Sequence, residues 1–246
     1  MQMKDVKRKI MTGTMLSEVC FSHFPIIAKN NGLDFIIIDN EHGAFDYHVI
    51  SELAFASKMC ELPAIIRIPD NGRANITKYA DMGVCGFLLP MTNTASDIEK
   101  VVEYAKYMPI GKRGISTNRA HTLYAPPRLE DYMPMANEKM KIYAQIETVQ
   151  ACEKIGEILA INGVDGVFIG PNDMSADIGK PGDVDVVIPY IEIVAVAAKL
   201  AQKPWGIITT NQKLIDFSKS CGVDIVSYGS EINMLNSGCK KIKEMF

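Results

Sequence analysis

A closed (β/α)8 barrel is the fold that this chain of 246 residues predicts, on three observations. Eight short apolar runs alternate with longer amphipathic stretches from one end to the other. The runs are continuously apolar and rich in β-branched residues, as suits parallel strands covered on both faces. No Ser/Pro/Gly-rich linker or break in composition divides the chain, and its length is that of one such barrel, so a single domain over residues 1–246 is expected. A doubly wound open sheet is the competing fold, but no GxGxxG follows the first strand.

The strand-like runs are TGTM (12–15), LDFIIID (33–39), PAIIRI (63–68), CGFLLP (85–90), YAQIE (143–147), DGVFIG (165–170), WGIIT (205–209) and DIVSYG (224–229). Helical patterns lie between them at 47–58, 74–82, 95–107, 149–159, 187–202, 212–221 and 231–243. Gly32, Gly83, Gly163 and Gly222 stand where a helix must end before the next strand. Residues 108–141 break the rhythm: they hold four prolines and several charges with little periodicity. Such an insertion in a compact domain is expected to be functional or an oligomer contact.

Bulk properties narrow the function. A formal net charge of −3 provides no basic field for nucleic acid. No apolar run reaches the length of a membrane span, and the N-terminus lacks the apolar core of a secretory signal. Six cysteines, at 20, 60, 85, 152, 221 and 239, form no CxxC pair, which points to a reduced, cytoplasmic protein without structural zinc.

In a parallel barrel the active site lies at the C-terminal ends of the strands. The second run ends on Asp39, followed by Asn40, Glu41 and His42; the third carries Arg67; the fifth carries Gln145 and Glu147; the sixth runs into Gly170, Pro171, Asn172 and Asp173. Singly, Asp39 and Asp173 read as caps, His42 as a surface histidine and Arg67 as a partner for a nearby carboxylate. Together they put several ionisable groups at one mouth, where buried charge needs a partner or a metal. Glu147 and Asp173 form the best metal pair: two carboxylates without thiolate or a second histidine suit a hard divalent cation such as Mg²⁺ or Mn²⁺, with Co²⁺ a third choice. Arg67 is expected to stabilise oxyanion charge, His42 to move a proton, and the backbone N–H groups after Pro171 to hold a carboxylate. None of the eight runs carries a lysine, so Schiff-base chemistry lacks its nucleophile.

These residues sit in stretches that resemble the HpcH/HpaI aldolase/citrate lyase family of metal-dependent class II pyruvate aldolases. The stretches are DFIIIDNEHGAFD, IIRIPD, YADMGVCGFLLPM, GKRGIS, AQIET, GVDGVFIGPNDMSADIG and KPWGI, in the family's order from about residue 13 to the C-terminus, and the long GVDGVFIGPNDMSADIG block is the specific one. The resemblance implies that His42 transfers the proton, Arg67 stabilises the transition state and Glu147 and Asp173 bind the metal. It further implies that Gln145 lies beside substrate, that the amides of Asn172 and Asp173 hold the pyruvate carboxylate, and that Asp81 raises the basicity of the histidine. A homo-oligomer, commonly a hexamer, is implied as well. KPGDVDVVIPY replaces the family's xHPxV segment after Gly179, and RGISTNRAHTLY is closer to the branch acting on sugar diacids than to the heptanedioate branch.

The activity expected is reversible cleavage of a 4-hydroxy-2-oxo acid, of the 2-keto-3-deoxy sugar acid or 2-keto-4-hydroxy-heptanedioate type, to pyruvate and an aldehyde. An acyl-CoA C–C lyase of the citrate-lyase type and a non-catalytic keto-acid-binding barrel are the alternatives. Asp81 precedes the fourth strand and His42 follows the second, so within one barrel they belong to opposite faces. A strand of about five residues, at roughly 3.3 Å each, separates those faces by more than a hydrogen bond spans. The implied role of Asp81 therefore requires a neighbouring subunit; its alternative is a local cap.

Overall fold

The computed structural model describes residues 9–246. Eight parallel strands close into a barrel in sequence order: β1 (Met11–Leu16), β2 (Phe35–Asp39), β3 (Ala64–Arg67), β4 (Gly86–Leu89), β5 (Lys141–Ile146), β6 (Gly166–Ile169), β7 (Trp205–Ile208) and β8 (Ile225–Ser230). Helices α1 (Phe24–Asn30), α2 (Tyr47–Met59), α3 (Arg73–Met82), α4 (Ala95–Ala105) and α5 (Leu129–Lys139) cover the first half. Helices α6 (Val149–Glu153), α7 (Ile155–Ala160), α8 (Pro171–Asp177), α9 (Ile188–Leu200), α10 (Gln212–Ser220) and α11 (Glu231–Lys243) follow. The (β/α)8 expectation holds, and the four helix-ending glycines all take left-handed φ, between 79° and 100°.

Strand period decides which side chain faces where. Ile36 and Ile38, Ile66, Phe87 and Leu89, Ile142, Ala144 and Ile146 point outward into the layer shared with the helices. Met15, Phe35, Ile37, Ile65, Leu88, Tyr143, Phe168 and Ile225 point inward and form a separate core inside the barrel. Tyr143 and Phe168 meet there edge to face, with ring centroids 5.3 Å apart and planes at 86°. The barrel is therefore plugged below its mouth.

Several elements differ from the sequence expectation. Helix α1 is a seven-residue helix with Pro25 in its first turn, too short for its periodicity to register. The segment 108–141 is not irregular throughout: Ala120–Thr122 is a 3-10 turn and α5 occupies Leu129–Lys139 with Pro134 inside it. A proline in a helix interior removes one hydrogen bond, and the sequence signal is lost with it. The stretch 149–159 is two helices rather than one, divided at Lys154. Strand β5 begins at Lys141, so one strand does carry a lysine, but at its N-terminal end, away from the mouth and 3.4 Å from Asp165. All six cysteines are free thiols. No helix among the described residues is long and apolar enough to cross a membrane.

Phe168 is fully buried in the inner core. Phe168→Ala should lower the unfolding free energy by about 3–5 kcal/mol in chemical denaturation, the usual cost of emptying an aromatic site in a packed core. A loss below about 1 kcal/mol would mean that the barrel interior collapses around the cavity.

Candidate active site

The period that buries Phe35 and Ile37 inside the barrel turns Asp39 inward one step further up β2. Likewise Ile65 leads to Arg67 on β3, and Tyr143 leads to Gln145 and then Glu147 on and just past β5. All four polar residues are at most 9% exposed, so they form a charged layer directly above an apolar plug.

Asp39 and Arg67 are register partners across β2 and β3. The Arg67 Nε donates to Asp39 Oδ1 at 2.9 Å and Nη2 to Asp39 Oδ2 at 2.7 Å, a two-pronged pair. Nη1 lies 3.0 Å from Glu41 Oε2. Asp39 Oδ1 also accepts the N–H groups of Glu41 at 3.1 Å and His42 at 3.4 Å, which folds the loop after β2 over its own strand end. From the flank, Asn40 Nδ2 donates to the Tyr79 hydroxyl at 2.6 Å. Burial raises the Glu41 carboxyl above its ordinary range, against the pull of Arg67 and His42. Arg67 is held cationic by its carboxylate partners despite its burial.

Glu147 is 2% exposed. Its Oε2 accepts the Met91 N–H at 2.7 Å and its Oε1 accepts Gln145 Nε2 at 2.6 Å. Burial pushes its carboxyl up to about 7; Asp173 and Glu41 push the same way, while the Met91 bond and Arg67 oppose them. The space for this carboxylate exists because residue 170 is glycine: a Cβ there would sit 2.4 Å from Glu147 Oε1. Gln145 Oε1 is buried with no hydrogen-bond partner. Asp173 lies in the first turn of α8, after Gly170 and Pro171, and is exposed. Among the described residues no three His, Cys, Asp or Glu side chains form a ligand cluster. Glu147, Asp173 and Gln145 Oε1 nevertheless offer the oxygen donors that a hard divalent cation takes while keeping water or substrate in its remaining positions. A cation there would also relieve the mutual repulsion of the carboxylates.

A cavity of about 540 Å³ opens beside this layer, lined among others by Ser17, Asp39, Asn172, Thr209, Asn211 and Ser230. A larger one, about 1040 Å³, lies elsewhere, between Lys106, Ile110, Leu159, Asp165, Leu200 and Lys203, and is lined by none of Asp39, Glu41, Arg67, Gln145, Glu147 and Asp173. Charge chemistry, rather than volume, marks the mouth as the functional end.

His42 and Asp81 do not join the buried layer. The His42 side chain is 73% exposed, 3.8 Å from Glu41 Oε2. Asp81 stands at the end of α3, on the side where strands begin, and accepts Arg113 Nη2 at 2.6 Å. His121 Nε2 is 3.7 Å from the same Asp81 oxygen. Burial lowers the basicity of His121, whose ring is held by the Tyr132 hydroxyl and the Ser116 carbonyl. The segment 108–128 thus contributes a buried arginine and a histidine that the sequence reading did not single out. GKRGIS was visible as a motif, but nothing in the spacing linked it to Asp81.

The HpcH/HpaI aldolase/citrate lyase family matches residues 25–235, and the chain belongs to it. A 2-keto-3-deoxy-L-rhamnonate aldolase of Salmonella typhi is 30% identical over 98% of this chain and 90% of its own. A 5-keto-4-deoxy-D-glucarate aldolase of Citrobacter koseri is 28% identical over 87% of this chain and 84% of its own. The crystal structure of an HpcH/HpaI aldolase from Desulfitobacterium hafniense superposes with a TM-score of 0.90 at 30% identity, covering 96% of this chain and 93% of that one. The protein is an enzyme, a lyase of the aldolase type.

Two outcomes follow from the Glu147 environment. Gly170→Ala should leave the barrel folded yet weaken divalent-cation binding in a calorimetric titration, because the new Cβ displaces the carboxylate. A carboxyl raised from 4.5 to about 7 stabilises the fold most when it stays protonated, so its contribution is present below pH 4.5 and lost as pH rises through about 7. The metal-free melting temperature should therefore fall across that window, and Glu147→Gln should flatten the fall.

Proposed function

We propose that the protein catalyses reversible aldol cleavage of a 4-hydroxy-2-oxo acid to pyruvate and an aldehyde, assisted by a divalent cation. The observation that carries this reading is the desolvated Glu147 carboxylate beside Asp173 and the unpartnered Gln145 Oε1, across the mouth from Arg67. Glu147 and Asp173 would hold Mg²⁺, Mn²⁺ or Co²⁺, which when bound supplies Lewis acidity to the oxygens of the oxo acid. Gln145 orients substrate at its amide, and the backbone N–H groups of Asn172 and Asp173 receive the carboxylate. His42 takes the proton of the C4 hydroxyl as the C3–C4 bond breaks; the bond's electron pair passes to C3 and the keto oxygen, giving the enolate of pyruvate. Arg67, fixed by Asp39 and Glu41, places positive charge where that enolate forms. Protonation at C3 completes pyruvate, and the C4 fragment leaves as the aldehyde. The names of both aldolase relatives denote keto-deoxy sugar acids, and a hydroxylated substrate of that class suits the hydroxyl and amide groups lining the cavity.

Asp81 is proposed to serve His42 of a neighbouring copy. Within one chain its partners are Arg113 and His121, and it stands at the opposite end of the barrel from the β2 loop. Association into a homo-oligomer, a hexamer on the family resemblance, is supported by α11, which leaves Met234, Leu235 and Ile242 exposed.

Chelation should abolish cleavage, and Mg²⁺, Mn²⁺ or Co²⁺ should restore it. Borohydride with pyruvate should leave no adduct, and mass-spectrometric detection of a lysine adduct would overturn the mechanism. His42→Ala should slow cleavage by ~10²–10⁴, the reach of acid–base catalysis, while pyruvate and metal binding persist. Glu147→Gln should instead lower metal affinity. Loss of the metal in His42→Ala would make the histidine a ligand. Mixed oligomers of inactive Asp81→Asn and inactive His42→Ala protomers should regain activity; none in verified mixtures would return Asp81 to a local role.

A further inference from the structure

Glu231 is a buried charge that no step above uses. It is the first residue of α11, immediately past β8, and is 2% exposed. The chain reaches it through Gly229, whose φ of 54° turns the strand end, and Ser230, whose N–H donates to Asn233 Oδ1 at 2.8 Å. Glu231 Oε1 accepts three consecutive backbone N–H groups, from Ser17 at 3.0 Å, Glu18 at 2.7 Å and Val19 at 3.0 Å. These are the residues that follow β1. Successive N–H groups converging on one anion are a strong and directional grip. Glu231 Oε2, by contrast, is buried without a hydrogen-bond partner. Half-satisfied buried charge is an expensive way to cap a loop, and its presence at the mouth points to placement rather than to bulk stability.

The loop so held leans on the loop that carries His42. The Ala44 N–H donates to the Ser17 carbonyl at 2.9 Å. A Cβ on Gly43 would lie 2.8 Å from that carbonyl and 2.2 Å from the carbonyl of Asp39, so the two loops meet backbone to backbone with no room for a side chain. His42 is thus flanked by two anchors. Asp39 binds the loop on its strand side, and Ser17 binds it on the other.

We propose that Glu231 is a positioning residue for the proton-transfer step. By gripping the Ser17–Glu18–Val19 backbone it fixes the Ser17 carbonyl, which fixes the Gly43–Ala44 turn and with it the place where His42 meets the substrate. The proposal rests on the aldolase reading for the role of His42, but not for the mechanical linkage.

The test uses the full-length enzyme with its divalent cation and a 4-hydroxy-2-oxo acid. Glu231→Gln should speed amide hydrogen exchange at Ser17, Glu18, Val19 and Ala44 while leaving β5 and β6 protected and Mn²⁺ affinity unchanged. It should lower kcat by ~10–100-fold with little change in KM, the size of loss that a small misplacement of a catalytic group produces. In a His42→Ala background the same substitution should cost nothing further, because both changes act through one group. Multiplicative losses in the double variant, an unchanged kcat, or unchanged exchange at Ala44 would each overturn the proposal. If Glu231→Gln does not fold, Glu231→Asp keeps the charge but shortens its reach, and the same pattern is expected at smaller amplitude. Full activity of His42→Ala alone would strike the aldolase role of the histidine; exchange at Ala44 would still decide whether Glu231 holds the loop.

Discussion

The Asp39–Arg67 pair is the interaction on which the mouth depends. Closing eight parallel strands brings their C-terminal ends together, and the sequence places Asp39, Glu147 and, on the adjoining loops, Glu41 and Asp173 at that end. Four carboxylates around a desolvated layer repel one another. One guanidinium, joined to Asp39 through two nitrogens and to Glu41 through the third, holds two of them. A lysine ammonium, being a point charge, would not span both partners from one fixed plane. On the Glu147–Asp173 side burial pushes the Glu147 carboxyl up to about 7, with Asp173 and Glu41 acting the same way and Arg67 opposing them only in part. One side of the mouth is paired with its own positive charge, and the other is only partly offset by it.

The apolar plug makes this arrangement possible. Phe35, Ile37, Ile65, Tyr143 and Phe168 fill the barrel below the charged layer, so the polar residues above them are aimed by strand period rather than by loop conformation. Rigid strands therefore set the positions of Arg67, Gln145 and Glu147. Glycine at 170 completes the geometry by yielding the volume that the Glu147 carboxylate occupies. His42 is built differently, on a loop and largely exposed. In the proposed reaction a group that meets an incoming substrate and takes its proton is better placed at the rim, whereas groups that hold charge are better kept dry.

The parts of this protein that follow local periodicity were legible in its sequence. Eight strands, most of the helices and the strand-end position of Asp39, Arg67, Gln145 and Glu147 follow from runs and their last residues. Helices α1, α5 and α8 were not, because α1 and α8 are only seven residues long and α5 has Pro134 in its interior. The split between α6 and α7 escaped for the same reason: a continuous apolar pattern does not record a one-residue break at Lys154. Pairings across long separations were beyond reach. Arg113 meets Asp81 across 32 positions, and Glu231 meets Ser17 across 214, and no spacing rule connects either pair. The face on which Asp81 lies was readable, since a residue just before a strand must sit where strands begin, but its arginine partner was not.

What the fold separates, assembly can rejoin. Asp81 is buried enough to be anchored by Arg113 through a single oxygen, Oδ1, and its position at the N-terminal end of the barrel keeps it from the His42 loop of its own chain. Helix α11 departs from the barrel after Glu231 with Met234, Leu235 and Ile242 exposed along its length. Glu231 at its root is meanwhile bound to the loop after β1, which touches the loop of His42. The exposed C-terminal helix and the exposed histidine are thereby connected through two loops and one buried carboxylate. Charge is held within one barrel by strands; His42 is carried at the surface, on a loop packed against one whose anchor is the residue where the last helix begins.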